Sequence, residues 1–466
     1  MQGEFRGDVT RDTFDKRKRF ARVLMQQGRV LVDADWNEQT SIVLDYLRSL
    51  TADLMGHSAG DDVNSFAIGN TTTGWDFEID AGTYYVDGLR CHLDAKTSYL
   101  KQADFPTAAA NKAVGDLTAG DYLVYLDVWE RHVTSADDGG IREVALGGPD
   151  TATRAQVVTQ IKVWPEKGQP PLAGGGEIEK TENFLRDELA RRAQVKLRAK
   201  VGGSAPSTPC VIGPQARYRG TENQLYRVEI HRGGPAWNGI KDANGKPAGN
   251  AATAATIKWS RDNASVAFPI RRIKEGRVRL ASLGPDERHS LHENDWVEVV
   301  DPSAPGVAGS LYRIETIDRD ELEVTLKKPR TGSPLTLPDE EAKRLVLRRW
   351  DHVGSFEGAI LLTEADDDAE ESWIELEDGI SVQFAPPPTG DPSHIYRPGD
   401  YWLIPARVAG GTVLWPTEVD GSGRTVPSFR PAHGVEHHYA PLAVVTFGAG
   451  ITVAHHVRRV FTKLTT

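Results

Sequence analysis

The sequence predicts a mainly β, multi-domain protein with a helical N-terminal segment, and three observations lead to this fold class. One strong helix pattern lies within the first 60 residues. From Phe66 onward, runs of strand length alternate with Gly-, Pro- and Asp-rich turns. The chain has 466 residues, of which 39% are hydrophobic, and this length suffices for roughly three domains at ~150 residues each.

The predicted helix spans residues 36–55. Asp35 is in position to cap it, with Glu38 as the matching third residue of a capping box. Apolar residues then recur at helical spacing, at Val43, Leu47, Leu50 and Leu54. We expect Trp36 to be buried or half-buried as the anchor of the first helical turn.

The strand signals divide the remaining chain into several regions. Asp87-Gly88 predicts a tight hairpin turn, and residues 122–129 form a continuous apolar run of strand length. A Pro- and Gly-rich stretch at 165–182 is the best linker candidate, and a short helix is expected after it. The predicted units are an N-terminal helical arm at 1–60, a β domain at 61–165, a β-rich domain at 183–285, an SH3-like small barrel at 286–330 and a C-terminal β-rich region at 331–466.

Charge and composition exclude several classes of function. Fifty-five basic residues against 66 acidic residues give a formal net charge of −11, which disfavours binding to nucleic acid phosphates. Cys91 and Cys210 are too few for a disulfide scaffold or a cysteine zinc site. The sequence has no apolar run of membrane-spanning length and no apolar stretch near its start. We therefore expect a protein that is made and kept in a reducing cytoplasm.

A histidine-rich string near the C-terminus is the most suggestive catalytic candidate. His433, Glu436 and His437 have the H-x-x-E-H spacing of the inverted zincins, and His438 follows directly. That chemistry needs both histidines on one helical turn so that they meet at one metal ion. Proline and glycine in and around the string disfavour a helix. The pattern therefore favours hydrogen-bonded histidines at a strand entrance over a metal site.

An acidic segment is a candidate interaction surface. Residues 364–378 contain nine acidic residues and no basic ones. The segment lacks the ligand order of an EF-hand, so calcium binding is the weaker alternative. We expect Asp366, Asp367 and Asp368 to contact a basic partner surface, with a solvated loop as the alternative.

A basic run near the N-terminus is a second candidate surface. Arg17, Arg19 and Arg22 lie in or directly after a Lys/Arg-rich string. A solvated helix face is the ordinary explanation of such a run. The alternative is contact with an acidic surface of a partner protein.

Other catalytic signatures are absent from the sequence. It contains no P-loop, no dinucleotide-binding glycine motif and no nucleophile elbow, so no cofactor is predicted and no enzymatic activity is expected. Paired carboxylates of a glycosidase do not show in sequence spacing. A carbohydrate-binding or carbohydrate-cleaving module therefore stays open, and it predicts a row of exposed Trp or Tyr side chains in a groove.

Several sequence blocks together carry a resemblance to a known family. They include DADWNEQ at 33–39, GTENQLYRVEIH at 220–231, KWSRDN at 258–263 and GDYWLIPAR at 399–407. Further blocks lie at 20–30, 122–133, 145–156 and 433–445. The chain resembles a bacterial domain family of unknown function that is associated with gene clusters for phage-tail-like contractile injection systems. Its N-terminal part is also similar to the heads of some phage tail-fibre and baseplate proteins, in which the first helix and the following strands attach the protein to the particle.

The resemblance implies a structural component of such a particle, at the baseplate or its periphery. It also implies, as an alternative to a protein that stays in the cytoplasm, a particle that is assembled in the cytoplasm and released. The implied partners are other subunits of a large assembly, including further copies of this chain. Neither nucleic acid nor direct membrane insertion is expected. The carbohydrate module is the alternative function, and a metal-dependent hydrolase around His433, Glu436 and His437 is the least favoured one.

Overall fold

A computed structural model gives the structure of most of the chain. It describes residues 5–103, 118–148, 151–164, 178–190, 195–202, 217–284, 286–302, 309–327, 334–343, 345–354, 357–367, 369–390, 394–434 and 436–461. Most of the predicted linker, Cys210 and Asp368 lie outside the described residues.

The described residues are mainly β. The α-helices are α1 (Asp33–Met55), α2 (Ile178–Ala190) and the short α3 (Asp339–Ala342). The strands, in chain order, are β1 (Ser58–Gly60), β2 (Glu78–Ile79), β3 (Gly82–Val86), β4 (Leu89–Leu93), β5 (Thr97–Ser98), β6 (Gly120–Val133), β7 (Arg154–Val163), β8 (Lys196–Val201), β9 (Gln224–Arg232), β10 (Thr256–Ser260), β11 (Ala267–Lys274), β12 (Arg277–Leu280), β13 (Trp296–Val300), β14 (Ser310–Asp318), β15 (Glu323–Leu326), β16 (Val346–Trp350), β17 (Ile360–Leu361), β18 (Ile374–Glu375), β19 (Ile380–Phe384), β20 (Tyr401–Arg407), β21 (Thr412–Val413), β22 (Thr417–Val419), β23 (Thr425–Pro427), β24 (Arg430–Pro431), β25 (His438–Phe447) and β26 (Ile451–His456).

The first β unit combines the start and the end of the chain. A four-stranded antiparallel sheet has the order β26-β25-β6-β7, and a three-stranded sheet has the order β1-β3-β4. Their apolar faces share one core, in which Phe77, Tyr84 and Val124 are fully buried. The long apolar run predicted as a strand is the centre of β6, where burial on both faces explains the absence of polar alternation.

A second unit packs two sheets against each other. One sheet has the order β17-β10-β9-β20-β21 and the other has the order β18-β19-β8-β24. The shared core contains Trp259, Phe384 and Trp402. Because β9 and β10 have nearly continuous buried faces, the second unit also contacts its neighbours through its outer surface.

The third unit is a closed six-stranded barrel. Its strand order is β11-β12-β15-β14-β13-β16, and β16 pairs with β11 to close it. The predicted small barrel is therefore confirmed, but it extends beyond the predicted 286–330. Strands β13, β14 and β15 alone cannot close a barrel, and β11, β12 and β16 from either side of that range complete it.

The predicted C-terminal region, 331–466, contributes to all three units. β16 belongs to the barrel, β17 to β21 belong to the second unit, and β25 and β26 belong to the first. The chain thus returns to its starting unit at its end. Strand pairing between distant segments has no signature in a single sequence, and so a linear division of the chain could not represent it.

A buried cluster of charges joins the second unit to the barrel. Lys258 on β10 contacts Glu229 on β9 at 3.2 Å and Glu298 on β13 at 2.6 Å, and Arg227 contacts Glu229 at 2.6 Å. Burial alone would raise the pKa of Glu229, but the charges of Arg6, Lys258 and Arg227 outweigh it and lower the pKa. The cluster therefore stays ionised and internally neutralised.

The two longer helices follow the sequence prediction in position but differ in detail. α1 starts at Asp33, three residues earlier than predicted, and Val32 precedes it without a side-chain cap. Asp35 therefore lies inside the first turn and does not cap the helix. The carboxylate of Asp33 instead accepts a hydrogen bond from the backbone N–H of Thr10 at 2.8 Å, and this contact fixes the start of the helix. No helix among the described residues has the length and apolar composition needed to cross a bilayer.

Candidate interaction surface

The histidine-rich string does not assemble into one site. His433 pairs through its backbone with Tyr401, with both N–H···O distances at 2.7 Å. His437 contacts Asp127 at 2.6 Å, and His438 contacts Asp87 at 2.8 Å. Glu436 is exposed. Three separate partners thus hold the histidines apart, and the described residues contain no group of three His, Cys, Asp or Glu side chains arranged to hold a metal ion.

Two of these histidines belong to carboxylate clusters that hold the first β unit together. Asp87, at the turn between β3 and β4, contacts both His57 and His438. Burial opposes ionisation of Asp87, yet the hydrogen bonds from the two imidazoles lower its pKa. The pKa of His57 is raised, because the contact with Asp87 outweighs the effect of burial. The geometry therefore supports a structural role, in which charge contacts connect the hairpin to β25.

The acidic segment is only partly a surface. The side chains of Asp366 and Asp367 are exposed, while their backbone carbonyls accept hydrogen bonds from Arg198 at 3.2 and 2.9 Å. Glu377 accepts two hydrogen bonds from Arg261, both at 2.6 Å. Some acidic residues thus stabilise the second unit internally, and the exposed aspartates remain candidates for partner contact.

The basic run begins with a short 3-10 helix at Lys16–Lys18 and belongs to a segment that lies beside α1. Residues 16–32 contain six basic and no acidic residues, and nearly all are exposed, including Arg17, Arg19 and Arg22. Side-chain contacts attach the segment and the residues before it to one side of the helix. They join Thr10 to Asp33, Thr13 to Glu38, Lys16 to Asp45 and Val23 to Gln39. We call residues 16–55, which comprise this segment and α1, the docking arm.

Exposed apolar side chains are concentrated on the docking arm. Of the 23 largely exposed large hydrophobic side chains in the described part of the chain, thirteen lie between residues 20 and 54. They are Phe20, Leu24, Met25, Val30, Leu31, Val32, Trp36, Val43, Leu44, Tyr46, Leu47, Leu50 and Leu54. A concentration of exposed apolar side chains of this kind is a candidate interaction surface.

The orientation of α1 explains this exposure. Its inward face is mostly small or polar, and Ile42 is its one large buried apolar residue: Ala34 and Ile42 are buried, and Arg48 forms an ion pair with Glu130 on β6 at 2.7 Å. The backbone of Arg48 also lies against Gly88, where a Cβ atom would come within 2.2 Å of the Arg48 carbonyl oxygen. Gly88 has a positive φ of 79° as well, so the hairpin turn requires glycine on both grounds. The helix is therefore attached to the body through its polar side.

The sequence prediction for Trp36 is wrong. Its side chain is 77% exposed, whereas a buried first-turn anchor was expected. The helical spacing of the apolar residues was identified correctly, but we assumed that the apolar stripe faces the core. The polar side of α1 already satisfies its contacts with the body, so the stripe is left in solvent. The seven-residue spacing within the stripe was the sequence signal that could have indicated a helical partner.

Comparison with known proteins identifies a family and no function. Residues 5–169 and 173–455 match the family described as Family of unknown function (DUF6519). No curated protein and no solved structure matches the chain. The interpretation of the docking arm therefore depends on its own geometry.

Proposed function

The chain belongs to this family of unknown function, and we propose that it is a structural subunit of a larger protein assembly, which it joins through its docking arm. The observation that carries the proposal is the concentration of thirteen exposed large hydrophobic side chains on residues 20–54. A soluble monomer would gain stability by burying them, at roughly 25 cal/mol per Å² of apolar surface. A partner that covers the arm supplies that burial.

The charge distribution of the arm supports the same proposal. The six basic residues of 16–32 stand beside exposed apolar side chains, while the chain as a whole carries −11. A basic and apolar surface on an acidic protein favours partners with acidic surfaces, because opposite charges steer encounter and apolar contacts then hold the complex. Nearly all side chains of residues 19–32 are exposed and thus accessible to a partner.

We further propose that the assembly is a particle of the phage-tail-like contractile injection type, at the baseplate or its periphery. This part of the proposal rests on the sequence blocks described above, which include the first residues of α1. The alternatives receive less support. Among the described Trp and Tyr side chains, Trp36 and Tyr46 are the exposed ones, and both lie on α1 among the apolar side chains of the docking arm.

Incorporation into particles tests the proposal. The variant Leu24→Glu with Leu31→Glu changes two exposed arm residues, and Val144→Glu with Val419→Glu changes two equally exposed residues elsewhere. We expect mass spectrometry of purified particles to find the wild type and the second variant, and to find the arm variant strongly depleted. Absence of the wild-type chain from sedimenting assemblies, or equal incorporation of both variants, would contradict the proposal.

Charge reversal tests the basic run and the acidic segment independently of each other. Replacing Arg17, Arg19 and Arg22 by Glu should weaken incorporation, and the remaining binding should lose its dependence on salt. The prediction for the acidic segment is tested by Asp366→Lys with Asp367→Lys, which are exposed and leave their backbone contacts with Arg198 in place. Undiminished incorporation of this second variant would remove the docking role of the acidic segment and leave that of the arm.

A further inference from the structure

The exposed apolar stripe of α1 has the spacing of a coiled-coil seam. Trp36, Val43 and Leu50 are seven residues apart, and so are Thr40, Leu47 and Leu54. The two series interleave with steps of four and three, which is the arrangement of the a and d positions of a heptad repeat. All six residues are exposed. The surface that fits such a stripe is another helix.

The stripe lies on a helix that is already formed and held in place by the rest of the chain. α1 is already a helix of 23 residues, and its polar side is held by the body and by segment 16–32. Most of the stability of a helix in a protein comes from packing of its face and not from intrinsic propensity, so a free peptide would lose binding energy to ordering. Attachment to the body removes much of that cost, because the helix is preorganised. A seam of fewer than three heptads can therefore suffice here.

The residues beside the seam favour an identical partner. The flanking positions are Asn37, Gln39, Leu44, Tyr46, Thr51 and Asp53. In coiled coils these positions select an unlike partner through complementary charges, and here Asp53 is the single charged one. Two identical copies of α1 therefore meet with little charge repulsion, and no charge pattern on this helix specifies a different chain.

The area of the exposed face fits a stable interface. Trp36 and Tyr46 are 77% and 68% exposed, and together they offer roughly 300 Å² if an aromatic side chain has about 200 Å². A standard interface takes about 800 Å² from each partner. The exposed parts of Val43, Leu44, Leu47, Leu50 and Leu54 supply most of the remainder.

We infer that α1 pairs with α1 of a second copy of this chain, and that the heptad stripe forms the seam of a symmetric helical contact. The inference rests on the proposed function and names a partner of the docking arm. The basic segment 16–32 stays exposed at the edge of this contact, where other subunits of the assembly can reach it. Thr40 supplies one polar seam position, a feature that fixes register in coiled coils.

Measurement of the mass in solution tests the inference. The purified full chain is studied by sedimentation and light scattering over the micromolar range, against the monomer mass of 51.1 kDa. We expect a multiple of that mass for the wild type. The variant Leu47→Glu with Leu54→Glu places two carboxylates in the seam, and its dissociation constant should rise at least ~100-fold, because buried charges without partners are costly.

Matched controls separate loss of pairing from loss of folding. Leu54 is 76% exposed, so Leu54→Glu alone cannot disturb the core of the monomer, and its circular dichroism should match the wild type. Ser49→Glu adds the same charge at an exposed position of α1 outside the stripe, and its oligomeric state should be unchanged.

Two results would overturn the inference. One is a wild-type chain that is monomeric throughout the micromolar range, and the other is a seam variant that associates as strongly as the wild type. Both are distinguishable from failure of the proposed function. A monomeric chain that still enters particles through its arm would mean that the stripe binds an unlike helix, whereas a self-associating chain absent from particles would contradict the assembly role alone.

Discussion

Two regions of this protein place polar and apolar side chains in opposite ways. At the junction of the second unit and the barrel, the carboxylates of Glu229 and Glu298 and the cations Lys258 and Arg227 are almost completely buried and neutralise one another. On α1, Trp36 and Leu54 stand in solvent. The buried charges find their partners within the chain, whereas the exposed apolar residues do not. A buried charge or an exposed large apolar side chain therefore indicates an external partner only where the chain itself leaves that group without suitable contacts.

The largest expected effect comes from breaking the buried charge cluster. Lys258→Met removes the cation between Glu229 and Glu298, and the free energy of unfolding should fall by about 3–5 kcal/mol, because both carboxylates stay buried. Lys274→Met, at an exposed position of β11, is the control and should change it by less than about 0.5 kcal/mol. Urea denaturation measures both. A loss of unfolding free energy below about 1 kcal/mol for Lys258→Met would show that the buried carboxylates do not need this lysine to stay stable in the folded protein.

The next effect compares the two long helices directly. Leu185 on α2 is fully buried, and Leu185→Ala should cost about 2–5 kcal/mol of unfolding free energy. Leu47→Ala is the same change on the exposed stripe of α1, and in dilute, monomeric protein it should cost less than about 0.5 kcal/mol. Thermal or urea denaturation of both variants measures the two losses of unfolding free energy. Equal losses would mean that the α1 stripe is covered by the chain itself.

Lowering the pH tests the contribution of two buried histidines to stability. Burial lowers the pKa of His132 to about 3 and that of His352 to about 4. Below pH 6.5 the unfolded chain therefore binds more protons than the folded one, and stability falls as the pH falls. At pH 5 the expected loss is roughly 2 kcal/mol per histidine.

Denaturation at pH 7 and pH 5 checks this prediction, and His352→Gln should reduce the difference between the two values. His57 acts with the opposite sign. Its pKa is raised by Asp87, so its contribution is fully present below pH 6.5 and is lost as the pH rises through its folded-state pKa. Equal stability at the two pH values would contradict the burial of neutral His132 and His352.

The smallest expected change in stability is that of Trp36→Ala. Trp36→Ala should leave the unfolding free energy of the monomer within about 0.5 kcal/mol of the wild type, since the side chain has few contacts to lose. The same change should weaken self-association, because aromatic side chains at the centre of interfaces carry much of the binding energy. A loss of several kcal/mol in dilute protein would show that Trp36 packs against the body.

Much of the local structure could be predicted from the sequence. The Asp87-Gly88 turn, the strand run at 122–129 and the helix ending at Met55 all appear where their patterns indicate. These features depend on neighbouring residues, through turn geometry and helical or strand periodicity. The boundaries of the barrel and of the C-terminal region were not predictable in the same way, because β16 and β25 pair with strands far away in sequence.

The local spacing of residues is enough to predict that α1 is a helix with one apolar stripe. Which side of that helix faces the body is set by tertiary contacts with distant residues, since Arg48 contacts Glu130 and the turn at Gly88 on the polar side. The period of a pattern is a local property of the chain, whereas burial is a property of everything packed around it, and so the same stripe that predicts a core can instead form an interface.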